Sequence, residues 1–146
     1  MLGIRSITSI PVGKIVNLSY LRPHSSVSLS QLGPELTVGD LESLPFTPEE
    51  ADFSESWSSD GNGRYSTVNI SAPIKADKES SREILDRHVG RQHIYLVELI
   101  SGVKYIVGSR EFRPTFTYGD SVSGISSNKF SFKITLKSTH GAFLAV

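Results

Sequence analysis

The sequence contains no cysteine, and this absence excludes three kinds of chemistry together. Without a thiol the chain cannot form a disulfide, a thiolate metal site or a cysteine nucleophile. Long apolar runs are also missing, since no stretch approaches the roughly 18 residues that a membrane-spanning helix requires. The chain begins without the basic start and apolar stretch of a secretion signal. We therefore expect a protein made in the cytoplasm that makes no contact with a membrane.

Basic residues are missing from one long segment. Between Pro23 and Gly63 there are eight acidic residues and no lysine or arginine, although the net charge of the whole chain is zero. The flanking segments must therefore be basic. The acidic segment can fold back on its own basic sheet, meet the basic face of another subunit, or line a passage for a polyanion. The sequence leaves these three alternatives open.

The composition favours one packed domain. The chain has 146 residues, of which 38% are hydrophobic, and this length is sufficient for a single core. We interpret 1–146 as a single domain in which 24–60 is an acidic arm or insertion. Serines, turn residues and scattered aliphatic residues predict a long irregular connection over 24–47, a kind of segment that is often functional. Its aliphatic residues should pack on something, for which a neighbouring subunit is one candidate.

Two hairpins are predicted by apolar runs that short turns separate. His93–Ile100 and Val103–Gly108 are β-favouring runs joined by Ser101-Gly102, which is typical of a tight hairpin. A second pair of strands is expected over about 51–57 and 65–72, with turn residues between them. A further strand over 112–118 contains Pro114, which places it at a sheet edge or a bulge.

The closing strand shows the clearest alternation in the chain. Its apolar residues and its lysines fall on opposite faces, the apolar set being Phe130, Phe132, Ile134 and Leu136 and the basic set Lys129, Lys133 and Lys137. The lysines can protect a strand against edge-to-edge pairing. Alternatively, together with the nearby Arg110, Arg113 and Tyr118, they form a basic surface suited to nucleic acid.

One helix is expected over about 77–89. Ser80 and Glu83 form a capping box, Ile84, Leu85 and His88 share one face, and Gly90 is suited to a C-cap. The predicted fold class is therefore mainly β, a β-rich α+β domain. We expect a small split β-barrel or sandwich, with this helix and the irregular arm at about 24–47.

The residues that carry enzyme chemistry do not fall into a recognisable pattern. The four histidines lack paired metal-ligand spacing, no serine lies in a nucleophile elbow, and no glycine-rich phosphate loop joins a strand to a helix. Glu98 and Glu111 are isolated carboxylates without a partner for acid and base work. We expect no catalytic residue, no cofactor and no metal ion, and a small hydrolase is the weakest interpretation.

The segment 93–109, the phenylalanine-rich strand after it and Ser138-Thr139-His140 resemble small structural proteins of tailed bacteriophages. Those proteins include head-tail connector rings, tail terminators and tail-tube-like subunits. The order of strands, one helix, a long hairpin and a closing strand is also similar to the split β-barrel of tail-tube proteins. The resemblance covers roughly 50–146 and does not extend to 1–49.

This resemblance implies a virion structural protein that forms a homo-oligomeric ring or tube at the neck or tail, assembled in the host cytoplasm. Its partners would be copies of itself and other neck or tail proteins, with DNA only as transient passing cargo. Head-to-tail contacts need two complementary surfaces. The implied interface residues are Glu49, Glu50, Asp52, Glu55, Arg110, Arg113, Lys129, Lys133 and Lys137. The alternative function is a monomeric β-barrel module that binds single-stranded nucleic acid.

Overall fold

The computed structural model describes residues 2–16, 22, 25–44, 46, 51–61, 63–74, 83–86, 88, 93–121, 129–139 and 141–145. Their regular structure is dominated by strands, which confirms the mainly β fold class. The strands are β1 (Leu2–Pro11), β2 (Ser26–Val27), β3 (Glu42–Ser43), β4 (Asp52–Asp60), β5 (Gly63–Ile74), β6 (His93–Leu99), β7 (Lys104–Val107), β8 (Thr115–Ser121), β9 (Lys129–Ser138) and β10 (Phe143–Ala145). The helical pieces are α1 (Leu29–Leu32), 3-10 turns at Val12–Lys14 and Val38–Asp40, and residues 83–86.

Strand β1 joins two halves of the sheet. The strand order is β2-β10-β7-β6-β1-β4-β5-β9-β8, and β3 adds to β1 outside this path. Leu2 and Gly3 pair with β4, whereas the rest of β1, after a register shift between Ile4 and Ser6, pairs with β6. We call β4, β5, β9 and β8 the front sheet, and β1, β6, β7, β10 and β2 the back sheet.

The two sheets pack face to face around the main core. Phe53 of the front sheet stacks on Tyr105 of the back sheet with ring centroids 5.2 Å apart, and Tyr95 and Phe116 make a second such pair at 6.1 Å. Phe132 is fully buried between the sheets and stacks on Phe116. Burying a side chain of this size contributes about 1.5–3 kcal/mol. Because the two sheets contact each other through these buried rings, the architecture is a sandwich.

A second core lies behind the back sheet. Residues 25–44 cross its outer face, where Val27 and Leu32 are fully buried in a cluster with Ile94, Ile106 and Phe143. Residues 25–44 are irregular apart from short elements, as expected, but their apolar side chains pack on their own sheet. The expectation that these aliphatic residues pack on something is therefore met within the chain, and additional contact with a neighbouring subunit stays a prediction.

The predicted hairpins are present. The β6–β7 turn uses Gly102 at φ 95°, a backbone angle that favours glycine, and its amide donates to the Leu99 carbonyl. The β4–β5 hairpin follows the register Asp60↔Gly63. In the predicted helix, residues 83–86 are helical and the remainder lies outside the described residues, except for His88, which is a turn residue.

None of the described helices is long and apolar enough to cross a membrane. The sequence also predicts an exposed loop over 119–128 and a short strand over about 15–21. Strand β8 extends through the first three residues of that loop, and 122–128 and 17–21 lie outside the described residues.

Candidate interaction surface

The lysines of β9 lie where the alternation predicts. Lys133 and Lys137 are exposed, while Phe132, Ile134 and Leu136 on the opposite side of the strand are buried. Strand β9 pairs with β5 on one side and β8 on the other, so it is an interior strand. The interpretation that these lysines protect a sheet edge is therefore wrong. The edge of the front sheet is β8, as Pro114 predicts.

The outward side chains of the front sheet form a broad polar surface, which we call the front face. The register of the four strands places its members side by side, and they include Asp52, Ser54, Ser56, Ser58, Asp60, Tyr65, Thr67, Asn69, Ser71, Thr115, Thr117, Lys133, Thr135 and Lys137. Thr135 Oγ1 donates to Asn69 Oδ1 at 3.3 Å, and Lys137 Nζ lies 4.4 Å from the centre of the Tyr65 ring. The front face combines hydroxyl and amide groups with two lysines on β9 and two carboxylates on β4.

Two arginines of the predicted surface lie in the loop before β8. Arg110 and Arg113 are exposed, and Arg113 Nε donates to the Arg110 carbonyl at 3.2 Å. Lys129 begins β9, but its side chain is outside the described residues, as are Glu49 and Glu50 entirely. The structure thus brings together Lys133 and Lys137 on one sheet, with the arginine loop leading into the neighbouring strand β8.

At least three of the six described acids of the predicted arm contact their own chain, namely Asp40, Glu42 and Glu55. Asp40 Oδ1 accepts from Lys14 Nζ at 2.8 Å, and this hydrogen bond, with one from the Thr37 amide, lowers the pKa of the Asp40 carboxyl below its usual 3.8. Glu42 Oε1 lies 3.0 Å from His88 Nε2. These acids therefore contact groups away from the front face.

Glu55 has a structural role that the sequence did not indicate. It lies on the core side of β4, where Oε1 accepts from the Ala142 amide at 3.1 Å and from Ser66 Oγ at 3.3 Å. This carboxylate holds the segment before β10 against β4. Asp52 is half-buried at the border of the front face, in register with Ser71.

A polar pocket beside two histidines was not predicted. The ring centroids of His88 and His93 are 4.5 Å apart, and His88 is 1% exposed. The pocket encloses about 260 Å³ and is lined by Ser9, Pro11, Gly39, Asp40, Glu42, His88 and His93. The two histidines are five residues apart and both follow the helical residues 83–86, and this spacing gave no sign of their contact.

Among the residues that the structure describes, no group of three or more histidine, aspartate or glutamate side chains could hold a metal ion. Burial in the adjacent core raises the pKa of the Tyr95 hydroxyl above its usual 10.0. The front face is the larger candidate surface, and the pocket lies away from it, beside β1 and β6 of the back sheet.

The comparisons with known proteins give one structural likeness. No protein-family model matches the sequence, and no curated protein matches it. Among solved structures, a chain from the virion of a native gene transfer agent particle is similar, with a TM-score of 0.39 and 12% sequence identity. The similar region covers 76% of this chain and 92% of that chain.

Proposed function

We propose that this chain is a structural subunit of a phage-type virion, in which copies form a ring or tube at the neck or tail through which DNA passes. The observation that carries the proposal is the order of elements over 50–146. The β4–β5 hairpin, the helical residues 83–86, the β6–β7 hairpin and the closing strand β9 follow one another as in the tail proteins that the sequence resembles.

The distribution of exposed surface supports a role in assembly. The outer side of the back sheet is covered by residues 25–44, whereas the front face extends across four strands and its lysines, threonines and serines are mostly exposed. Such a broad polar surface suits a partner of similar extent better than a small molecule, which binds in concave and mainly apolar sites.

Contacts between copies are proposed to involve the arginine loop. Arg110 and Arg113 are exposed at the start of the edge strand β8, where a neighbouring subunit can approach. Their acidic counterparts in the next copy are proposed to be Glu49 and Glu50, because Asp40, Glu42 and Glu55 already contact groups of their own chain. The contact would be heterologous, as a closed ring requires.

The proposal is tested on particles from the host that encodes this chain. Particles are purified by density gradient and analysed by mass spectrometry, and the gene is deleted in a parallel culture. We expect the chain to co-purify with particles in a fixed ratio to the major capsid protein, and we expect the deletion to stop the production of complete, DNA-filled particles. Absence of the chain from purified particles, or normal particles after deletion, would refute a virion role.

A further inference from the structure

We propose that the front face binds the sugar-phosphate backbone of double-stranded DNA through Lys133 and Lys137. The choice of duplex DNA as ligand rests on the proposed function, whereas the binding surface is argued from the geometry and charge of the front face. This assigns the two lysines to DNA rather than to the contact between subunits.

The β9 side of the front face favours a polyanion. Among the described outward side chains of β5, β9 and β8 there are two lysines and no carboxylate. The acids of the front face, Asp52 and Asp60, lie on β4. Asp52 is in register with Lys133 but two strands away, at about 10 Å given the usual spacing of strands. The positive charge is therefore concentrated on β9, and no carboxylate is directly beside it among the described residues of the adjacent strands.

The separation of the cations allows both to contact one duplex. Lys133 and Lys137 lie four residues apart on one strand, which corresponds to about 13 Å. Duplex DNA carries one negative charge per about 1.7 Å of helix axis, so each lysine can reach a different phosphate of the same duplex. Thr135 lies between the lysines, with Thr67 and Asn69 on the adjacent strand, and such side chains commonly donate hydrogen bonds to phosphate oxygens.

An acidic surface of a second copy fits the front face less well. Among the described acids of the predicted arm, Asp40 contacts Lys14, Glu42 contacts His88, and Glu55 accepts from the Ala142 amide. These carboxylates are held within their own chain. At least three of the six described acids of the predicted arm are therefore committed to contacts within their own chain, which leaves fewer carboxylates to complement the two lysines.

Single-stranded nucleic acid also fits less well than duplex. Proteins that bind single strands stack bases on aromatic rings. Among the described residues of the front face the one aromatic ring is that of Tyr65, and Lys137 Nζ lies over it at 4.4 Å from the ring centre. Backbone contact, which a duplex offers without unstacking its bases, matches the available groups better.

The test measures binding of a fluorescein-labelled duplex of 20 base pairs by fluorescence anisotropy between 25 and 200 mM NaCl. The test variant is the double substitution Lys133→Gln and Lys137→Gln. The control is Arg22→Gln with Lys104→Gln, which removes the same charge at exposed positions outside the front sheet. Circular dichroism and thermal melting establish that all three proteins are equally folded.

We expect the wild-type affinity to fall steeply with salt. We expect the test variant to bind at least about tenfold more weakly at the lowest salt, with the slope of log K against log salt reduced by about 2. The control variant should stay within about twofold of the wild type. These results together would support the assignment of the two lysines.

Several outcomes would overturn it. They are no binding of the wild-type chain at 25 mM NaCl, an equal loss of affinity in the control variant, tighter binding of a single strand of the same length, and equally tight binding of polyglutamate. None of these outcomes bears on the presence of the chain in particles, so failure of this inference is distinguishable from failure of the proposed virion role.

Discussion

The substitution Leu32→Ala tests whether residues 25–44 belong to the core of their own subunit. Leu32 is fully buried in the cluster behind the back sheet. Replacing a buried leucine by alanine costs about 2–5 kcal/mol of unfolding free energy, because transfer energy is lost and a cavity remains. For a domain of this length each kcal/mol lowers the melting temperature by about 2–4 °C, so a loss of about 3 kcal/mol corresponds to about 6–12 °C.

The assay is urea unfolding, followed by far-ultraviolet circular dichroism at two protein concentrations tenfold apart. Val38→Ala is the matched control, because Val38 lies in the same segment and is 89% exposed. Its expected change in unfolding free energy is below about 0.5 kcal/mol. If the segment packed on a neighbouring copy instead, the effect of Leu32→Ala would depend on concentration, and the diluted protein would lose less than about 1 kcal/mol. Either result would refute the intramolecular packing.

Two further predictions concern single contacts. Gly141→Ala should lower the unfolding free energy by about 1–3 kcal/mol, because Gly141 has φ 69° and an added methyl group would collide with Glu55 Oε1. Gly61 is the control, since there is open space around it. Gly61→Ala should therefore leave the melting temperature nearly unchanged. Equal melting temperatures for the two variants would contradict this account. Lys14→Gln should raise the Asp40 pKa back toward 3.8, measured by NMR titration of the carboxyl carbon. The Asp40 pKa is lower in the folded chain than in the unfolded chain. The stabilisation from this contact is therefore present above pH 3.8 and is lost as the pH falls through the folded pKa. An unchanged Asp40 titration in Lys14→Gln would refute the role of Lys14.

The strands were predictable because their signals are local. The two halves of the β6–β7 hairpin are continuous apolar runs, and the structure shows why: Ile94 and Val97 point to opposite cores, so both faces of β6 are buried. Strand β9 instead alternates, because only the side carrying Phe132 and Ile134 faces a core. Whether a strand has one buried face or two can therefore be seen in the sequence.

The contacts of the charged residues were not predictable in the same way. The excess of acid between Pro23 and Gly63 is a property of the sequence, but it does not indicate which of these acids contact their own chain. Asp40 and Glu42 contact Lys14 and His88, which lie 26 and 46 residues away along the chain. No spacing rule connects residues so far apart, since their approach depends on how the whole segment crosses the back sheet.

The same reason explains the missed pocket. His88 and His93 are close in sequence, yet their contact depends on the position of the helical residues 83–86 relative to β6. A count of histidines and their spacing contains no information about that placement. The two rings meet because Leu85 and Tyr95 are buried in the same core.

By itself, the sequence determined that the domain is mainly β, where its hairpins turn, and that Lys133 and Lys137 share the solvent side of one strand. These features follow from the two-residue period of a strand and from the conformations that turn residues favour, and both act over a few neighbouring residues. Only the tertiary structure decided that β9 is an interior strand, that residues 25–44 cover their own back sheet, and that Glu55 binds a backbone amide. Each of these depends on the pairing of segments that are distant in the chain, which local chemistry does not specify.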